Sequence, residues 1–170
     1  MNSEAERPRR RPTLSLKGRA LKYLSAREHS RVELRRKLGP HCQEGDDLEA
    51  LLTELESAGW LSNERFVESV VHRKAARFGA ARLRGELAQH QLPDDAVRDA
   101  ISALQDTELD RAQALWARRY GQVGSTPAEV ARQMRFLAGR GFSGEVIRRV
   151  LRAAATGQVP DFESPQATGE

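Results

Sequence analysis

Two stretches of this sequence fall into register at a separation of fifty residues. ELAQHQLPDDAVRDAI begins at Glu86 and FLAGRGFSGEVIRRVL at Phe136. Leu87 then aligns with Leu137, Ala88 with Ala138, Leu92 with Phe142, Val97 with Ile147 and Ile101 with Leu151. Self-similarity at a fixed period of about 20–50 residues means stacked copies of one supersecondary unit. The apolar spacing inside the copies is helical. Val97, Ala100, Ile101 and Leu104 form one stripe, Val146, Ile147, Val150 and Leu151 another, and Leu48, Leu51, Leu52 and Leu55 a third. No run alternates with period two, so strands are not expected. The opening segment fits the frame less closely, with Leu34 and Leu38 in the places of Leu83 and Leu87.

The expected fold is all-α: three tandem three-helix repeats over residues 15–59, 60–105 and 108–155. From the shared leucine, the middle helix of the third unit starts about a turn earlier than that of the second. The first unit carries an extra acidic loop, GPHCQEGDD. A single three-helix unit is too small to be stable alone, so stacking should bury the leftover apolar faces in an elongated, curved solenoid. Helix starts are legible as capping boxes at Ser30/Glu33 and Thr126/Glu129, the latter with Pro127 at the first helical position. Ser62 and Ser143 are further N-cap candidates. Asp46-Asp47 and Asp94-Asp95 precede helices, where acids favour the dipole. Gly39, Gly59, Gly79 and Gly121 stand where helices should stop.

The flanks differ from the repeats. Residues 1–14, rich in Pro and Arg, are expected to be a disordered basic arm, and residues 156–170 a disordered acidic tail. The N-terminus lacks the apolar core of a secretory signal, and no stretch approaches the apolar length of a membrane span. The one cysteine, Cys42, excludes a disulfide framework and fits a reducing cytoplasm.

Formal net charge is +4, but the bases come in blocks, with no Lys or Arg between Leu38 and Glu64. They recur with the unit. The first offers Arg31, Arg35, Arg36 and Lys37, and the second Arg73, Lys74, Arg77, Arg82 and Arg84. The third offers Arg132, Arg135, Arg140, Arg148, Arg149 and Arg152. Arg73 and Arg77, four apart, are expected on one helix face, and with Lys74, Arg82 and Arg84 they form the densest cluster. Such patches are either solvated faces with local salt bridges, as at Glu33/Lys37, or the footprint of a long anionic partner.

Other motifs promise less. Gly139-Arg-Gly141-Phe-Ser-Gly144 spells GxGxxG but follows a helical segment rather than a strand, so it reads as a helix stop and a tight turn. His41-Cys42 lacks further ligands, and His29, His72 and His90 lack paired spacing, so no metal or cofactor is expected. His72 should be solvated. No nucleophile, acid–base pair or phosphate loop is recognisable. Trp60, Trp116, Phe66, Phe78, Tyr120, Phe136 and Phe142 sit beside aliphatics and read mainly as core, with Tyr23 and Tyr120 least certain.

Three blocks resemble a known family. ALKYLSAREHSRVELRRKL, GWLSNERFVESVVHRKAARFGAARLRGEL and RQMRFLAGRGFSGEVIRRVL are similar to the RecX regulatory proteins of bacteria, over about residues 16–152. The middle block carries the most specific signs: Trp60-Leu61-Ser62, Arg65-Phe66, Arg73, Phe78-Gly79, Leu83 and Glu86-Leu87. Gly141-Phe142-Ser143 resembles the third-unit signature. The resemblance implies a non-enzymatic modulator of the RecA recombinase. It would lie in the groove of the RecA–ATP–single-stranded DNA filament, block its extension, and inhibit strand exchange, ATP hydrolysis and co-protease activity. The rival reading, from short helices and basic patches, is a helix-turn-helix-type DNA-binding protein acting without RecA, against which three equivalent units and the resemblance count. A cytoplasmic monomer with weak affinity for DNA suits the resemblance.

Overall fold

The computed structural model describes residues 14–157, and all helical elements below lie within them. The helices are α1 (Leu16–Ala26), α2 (Arg31–Leu38), α3 (Leu48–Ser57), α4 (Asn63–Lys74), α5 (Ala80–Leu87), α6 (Asp94–Asp106), α7 (Glu108–Arg119), α8 (Pro127–Gly139) and α9 (Gly144–Ala155). Short 3₁₀ turns follow α2 and α5. The described residues contain no strand. The expected arm and tail fall outside the described residues, apart from Leu14, Thr156 and Gly157.

Local chemistry sets the boundaries. Ser30, Asp47, Thr126 and Ser143 each accept a hydrogen bond from a first-turn amide of the helix that follows. Thr126 and Glu129 close a full capping box, and amides of Ser125 and Thr126 hold the Glu129 carboxyl below its ordinary range. Gly59 and Gly121 end α3 and α7 at φ of +73° and +71°, a left-handed conformation that costs glycine little. Gly79 is a correction. The preceding helix has already ended at Lys74, and Gly79, at φ −78°, is the N-cap of α5.

The chain divides into two compact units, Met1–Ser62 and Asn63–Glu170. In the first, Ala20, Leu34, Leu38, Leu52, Leu55 and Leu61 form the core of α1–α3. The acidic loop is a 3₁₀ turn at Gly39–His41 followed by the Asp47 cap of α3. The Glu33 carboxylate pairs with Arg27 rather than with Lys37. Burial pushes that carboxyl up, and the Arg27 hydrogen bond with neighbouring positive charge outweighs it, so its pKa is lowered. Lys37 instead approaches His29 Nε2 at 3.1 Å and the face of Tyr23 at 4.9 Å.

In the second unit, α4–α6 bury Phe66, Val67, Val70, Leu83, Leu87 and Ile101, while α7–α9 bury Leu115, Trp116, Leu137, Phe142, Ile147 and Val150. The aligned pairs Leu87/Leu137 and Ile101/Leu151 lie in equivalent cores, as the repeat requires. The helix α8 does begin a turn early relative to α5. The Trp116 indole donates to Gln133 Oε1 at 3.1 Å, and Gln133 donates to the Gln122 carbonyl at 2.9 Å, so that core's polar atoms are satisfied. Trp60 departs from expectation: it is 58 % exposed, whereas Leu61 is 3 % exposed. The positive φ at Gly59 turns the chain so that the aliphatic residue, not the indole, enters the core.

Candidate anion-binding corner

Two inter-helix corners of the second unit meet backbone to backbone. The Gly79 amide donates to the Arg140 carbonyl at 2.9 Å. A Cβ at Gly79 would lie 2.3 Å from the Gly141 oxygen, and one at Gly141, whose φ is +84°, would lie 2.5 Å from Arg82 Cβ. Only glycine permits this approach. The GxGxxG stretch is thus a helix stop and turn, as expected, and also the place where the α8–α9 corner seats on the α4–α5 corner.

One buried and one half-buried charged residue of α7 complete the joint. Glu108, 6 % exposed, accepts from the Ala80 amide at 2.8 Å and so caps α5, whose own N-cap residue has no side chain. Arg111 donates to the carbonyls of Ala75 at 2.7 Å, Phe78 at 2.9 Å and Leu104 at 2.7 Å. Burial pushes the Arg111 guanidinium down from its ordinary pKa, with Glu108 opposing that shift. The two triplets of this unit are therefore joined by hydrogen bonds and a close glycine contact, while their apolar clusters stay separate.

The joint gathers arginines around two rings. Guanidinium carbons of Arg82, Arg77 and Arg140 stand 4.6, 5.7 and 5.8 Å from the Phe78 centroid. Arg140 and Arg119 stand 4.9 and 5.7 Å from the Phe136 centroid. Such cation–π contacts position a guanidinium without neutralising it. Backbone carbonyls fix two further: Arg82 donates to Gly139 at 3.2 Å and Arg140 to Arg77 at 3.5 Å. Arg77, Arg118, Arg119 and Arg140 line an open cleft of about 550 Å³ with Ala76, Leu115 and Phe136. None of these arginines pairs with a carboxylate among the described residues. Phe78 and Phe136 pack against the two cores, as expected, but are only half-buried, and arginines stand near their rings.

The other candidate bases are placed differently. Arg31 pairs with Glu49 at 2.9 Å and with Glu56, and Arg35 pairs with Glu49 at 2.5 Å. Hydrogen bonds from Arg35 and then Arg31 hold the Glu49 carboxyl down at about 2. Lys74 pairs with Glu86 at 2.5 Å. Arg36, Arg73, Arg84, Arg132, Arg135, Arg148, Arg149 and Arg152 are exposed on their helices, outside the ring contacts of the corner. Arg73 and Arg77 do not share a helix face, because α4 ends at Lys74 and Arg77 lies in the following turn. Arg118 and Arg119 escaped the sequence reading, which followed the middle helices. Their signal was a basic final turn, WARRY, just before Gly121. His72 is exposed, as expected. No helix among the described residues is long and apolar enough to cross a membrane.

Comparison with known proteins agrees with the repeat. Residues 17–55, 62–101 and 106–151 match the first, second and third three-helix domains of RecX in turn. The chain is 58 % identical over 144 residues to the regulatory protein RecX of Leptothrix cholodnii, covering 85 % of this chain and 92 % of that one. It is 55 % identical over 144 residues to the regulatory protein RecX of Ralstonia nicotianae, covering 85 % and 91 %. The crystal structure of RecX from Lactobacillus salivarius superposes with a TM-score of 0.69 at 20 % identity, over 83 % of this chain and 95 % of that one, a likeness of fold.

Proposed function

The chain belongs to the RecX family of regulatory proteins, and from that premise we propose that it regulates RecA by binding the groove of the RecA–single-stranded DNA filament. There it blocks extension and inhibits recombinase, ATPase and co-protease activities. It does so without catalysis of its own, as a cytoplasmic monomer with weak affinity for DNA. The observation that supports an anionic filament as partner is the corner at Phe78 and Phe136, where arginines stand without a carboxylate partner among the described residues. A filament offers phosphates and acidic side chains, and contacts repeated along it add by multivalency, so each can be weak.

The test is ATP hydrolysis by the cognate RecA on single-stranded DNA as this protein is titrated in. Blocking a growing end requires far less than one copy per RecA, so sub-stoichiometric protein should suppress hydrolysis. Inhibition that appears only at equimolar RecA or above would replace end-blocking with competition for DNA.

A further inference from the structure

We infer that the corner formed by Arg77, Arg82, Arg119 and Arg140, with Arg118 at its edge, is a binding site for the sugar–phosphate backbone of a nucleic acid strand, held with its bases turned away. The inference deepens the reading above and rests on it only in taking a partner that contains nucleic acid.

Three features select this ligand. First, the charge is concentrated and unanswered. Arg77, Arg118, Arg119 and Arg140 line one cleft, Arg82 adjoins it over Phe78, and none meets a carboxylate among the described residues. A protein face would need several acids clustered to match, whereas a strand presents one phosphate per nucleotide by its covalent structure. Second, the donors are held in place. Guanidiniums seated over rings and tied to backbone carbonyls lose less side-chain entropy on meeting a phosphate. Third, the aromatic faces are already occupied. Proteins that stack bases leave ring faces open to them. Phe78 is approached by three guanidiniums and Phe136 by two, so the site offers charge and no stacking platform.

That last point makes the inference specific. Affinity should depend on the backbone and not on the bases. A fluorescent oligodeoxythymidylate and an abasic oligodeoxynucleotide of the same length should bind the full chain equally, within about twofold. Both should show a salt dependence that falls by about 1.4 in log–log slope when two phosphate contacts are removed, at roughly 0.7 per contact for single strands. The variant is Arg77→Ala/Arg140→Ala, with Arg77→Lys/Arg140→Lys to keep the charge but lose the planar fork. The charge-matched control is Arg19→Ala/Arg98→Ala. Anisotropy titrations should show about a tenfold or greater loss for the alanine pair, an intermediate loss for the lysine pair and little change for the control. Circular dichroism should be unchanged throughout. A folded alanine pair that binds both oligonucleotides like wild type overturns the inference, as does failure of the abasic strand to bind. Unchanged oligonucleotide binding with lost suppression of RecA ATP hydrolysis would assign the corner to acidic side chains of a protein, overturning the inference while the regulatory reading stands. Wild-type protein that binds the strands through the corner but never suppresses hydrolysis would do the reverse.

Discussion

The basic helix α2 and the corner at Phe78 are both rich in arginine, yet Arg31 and Arg35 of the helix meet the opposite fate to the arginines of the corner. On α2, Arg31 and Arg35 face a helix whose sequence, LEALLTELES, supplies Glu49 and Glu56, and both guanidiniums are drawn into ion pairs. At the corner, the facing segments are the end of α7 and the turn after α8, which supply Arg118, Arg119 and Arg140. No carboxylate among the described residues answers them. The density of bases along a sequence therefore does not locate an anion site. What locates it is the charge of the segment the fold sets opposite. Exposed ion pairs contribute little stability, so the pairs on α2 matter less for folding than for silencing a patch that would otherwise compete for polyanions.

The glycine joint offers the largest way to break this comparison. Gly79→Ala places a Cβ 2.3 Å from the Gly141 oxygen, and 2.5–2.6 Å from Gly141 C and Phe142 N, all backbone atoms that cannot rotate aside. The corners must separate, at a cost of about 2–4 kcal/mol. Thermal unfolding should shift down accordingly, and binding of polyanions should fall with it. Gly39→Ala is the counterpart in the first unit. Gly39 has φ −47° and nothing within 4 Å of its virtual Cβ, so its replacement should be neutral or slightly stabilising. Equal effects at the two positions would mean that the second unit does not depend on the close approach.

Glu49→Gln sharpens the comparison from the other side by releasing Arg35, while Arg31 keeps its pair with Glu56. If the acids of α3 are what silence α2, the variant should bind single-stranded DNA a few-fold more tightly than wild type. Its log–log salt slope should steepen by up to about 0.7. The pH dependence has a definite sign. The folded pKa of Glu49, about 2, lies below its ordinary 4.5, so the fold favours the charged form. Its contribution is complete above about 4.5 and is lost as pH falls through about 2. The stability difference between wild type and Glu49→Gln, followed by denaturant unfolding, should be flat from neutral pH to about 4.5 and shrink below. A difference that grows on acidification would rule out the pairing.

The features legible in the sequence were those written locally or periodically. The caps at Ser30, Thr126 and Ser143 depend on the first turn of one helix, and the core leucines repeat at a fixed spacing, so both could be read without coordinates. The corner could not. It joins Gly79 to Gly141 and Arg82 to Gly139, contacts between residues some sixty positions apart that leave no periodic trace. Glu108 and Arg111 were unremarkable charged residues on a helical surface until the fold turned them toward the orphan amide of Ala80 and the carbonyls of Ala75, Phe78 and Leu104. Phe78 and Phe136 were placed in the core by their aliphatic neighbours, and nothing in the spacing said that arginines would cover their faces.

The smallest expected effect is also the sharpest discriminator. Spacing alone put Arg73 and Arg77 on one face, which would make them interchangeable in binding. In the fold, the Ala75 amide still bonds back to the Val71 carbonyl, but the Arg77 and Phe78 amides both turn to the Lys74 carbonyl. The chain thus leaves the helix between the two arginines. Arg77 goes to the cleft and the Phe78 ring, and Arg73 remains on the exposed last turn of α4. Arg73→Ala should therefore change affinity for single-stranded DNA by less than about twofold and leave the melting temperature and the salt slope where they were, whereas Arg77→Ala should cost several-fold and flatten the slope by about 0.7. The comparison is made by anisotropy at two salt concentrations on the two single variants. Equal losses would move the anion surface from the corner to the length of α4, and the contrast between a silenced helix and an unanswered corner would no longer explain where this protein holds its partner.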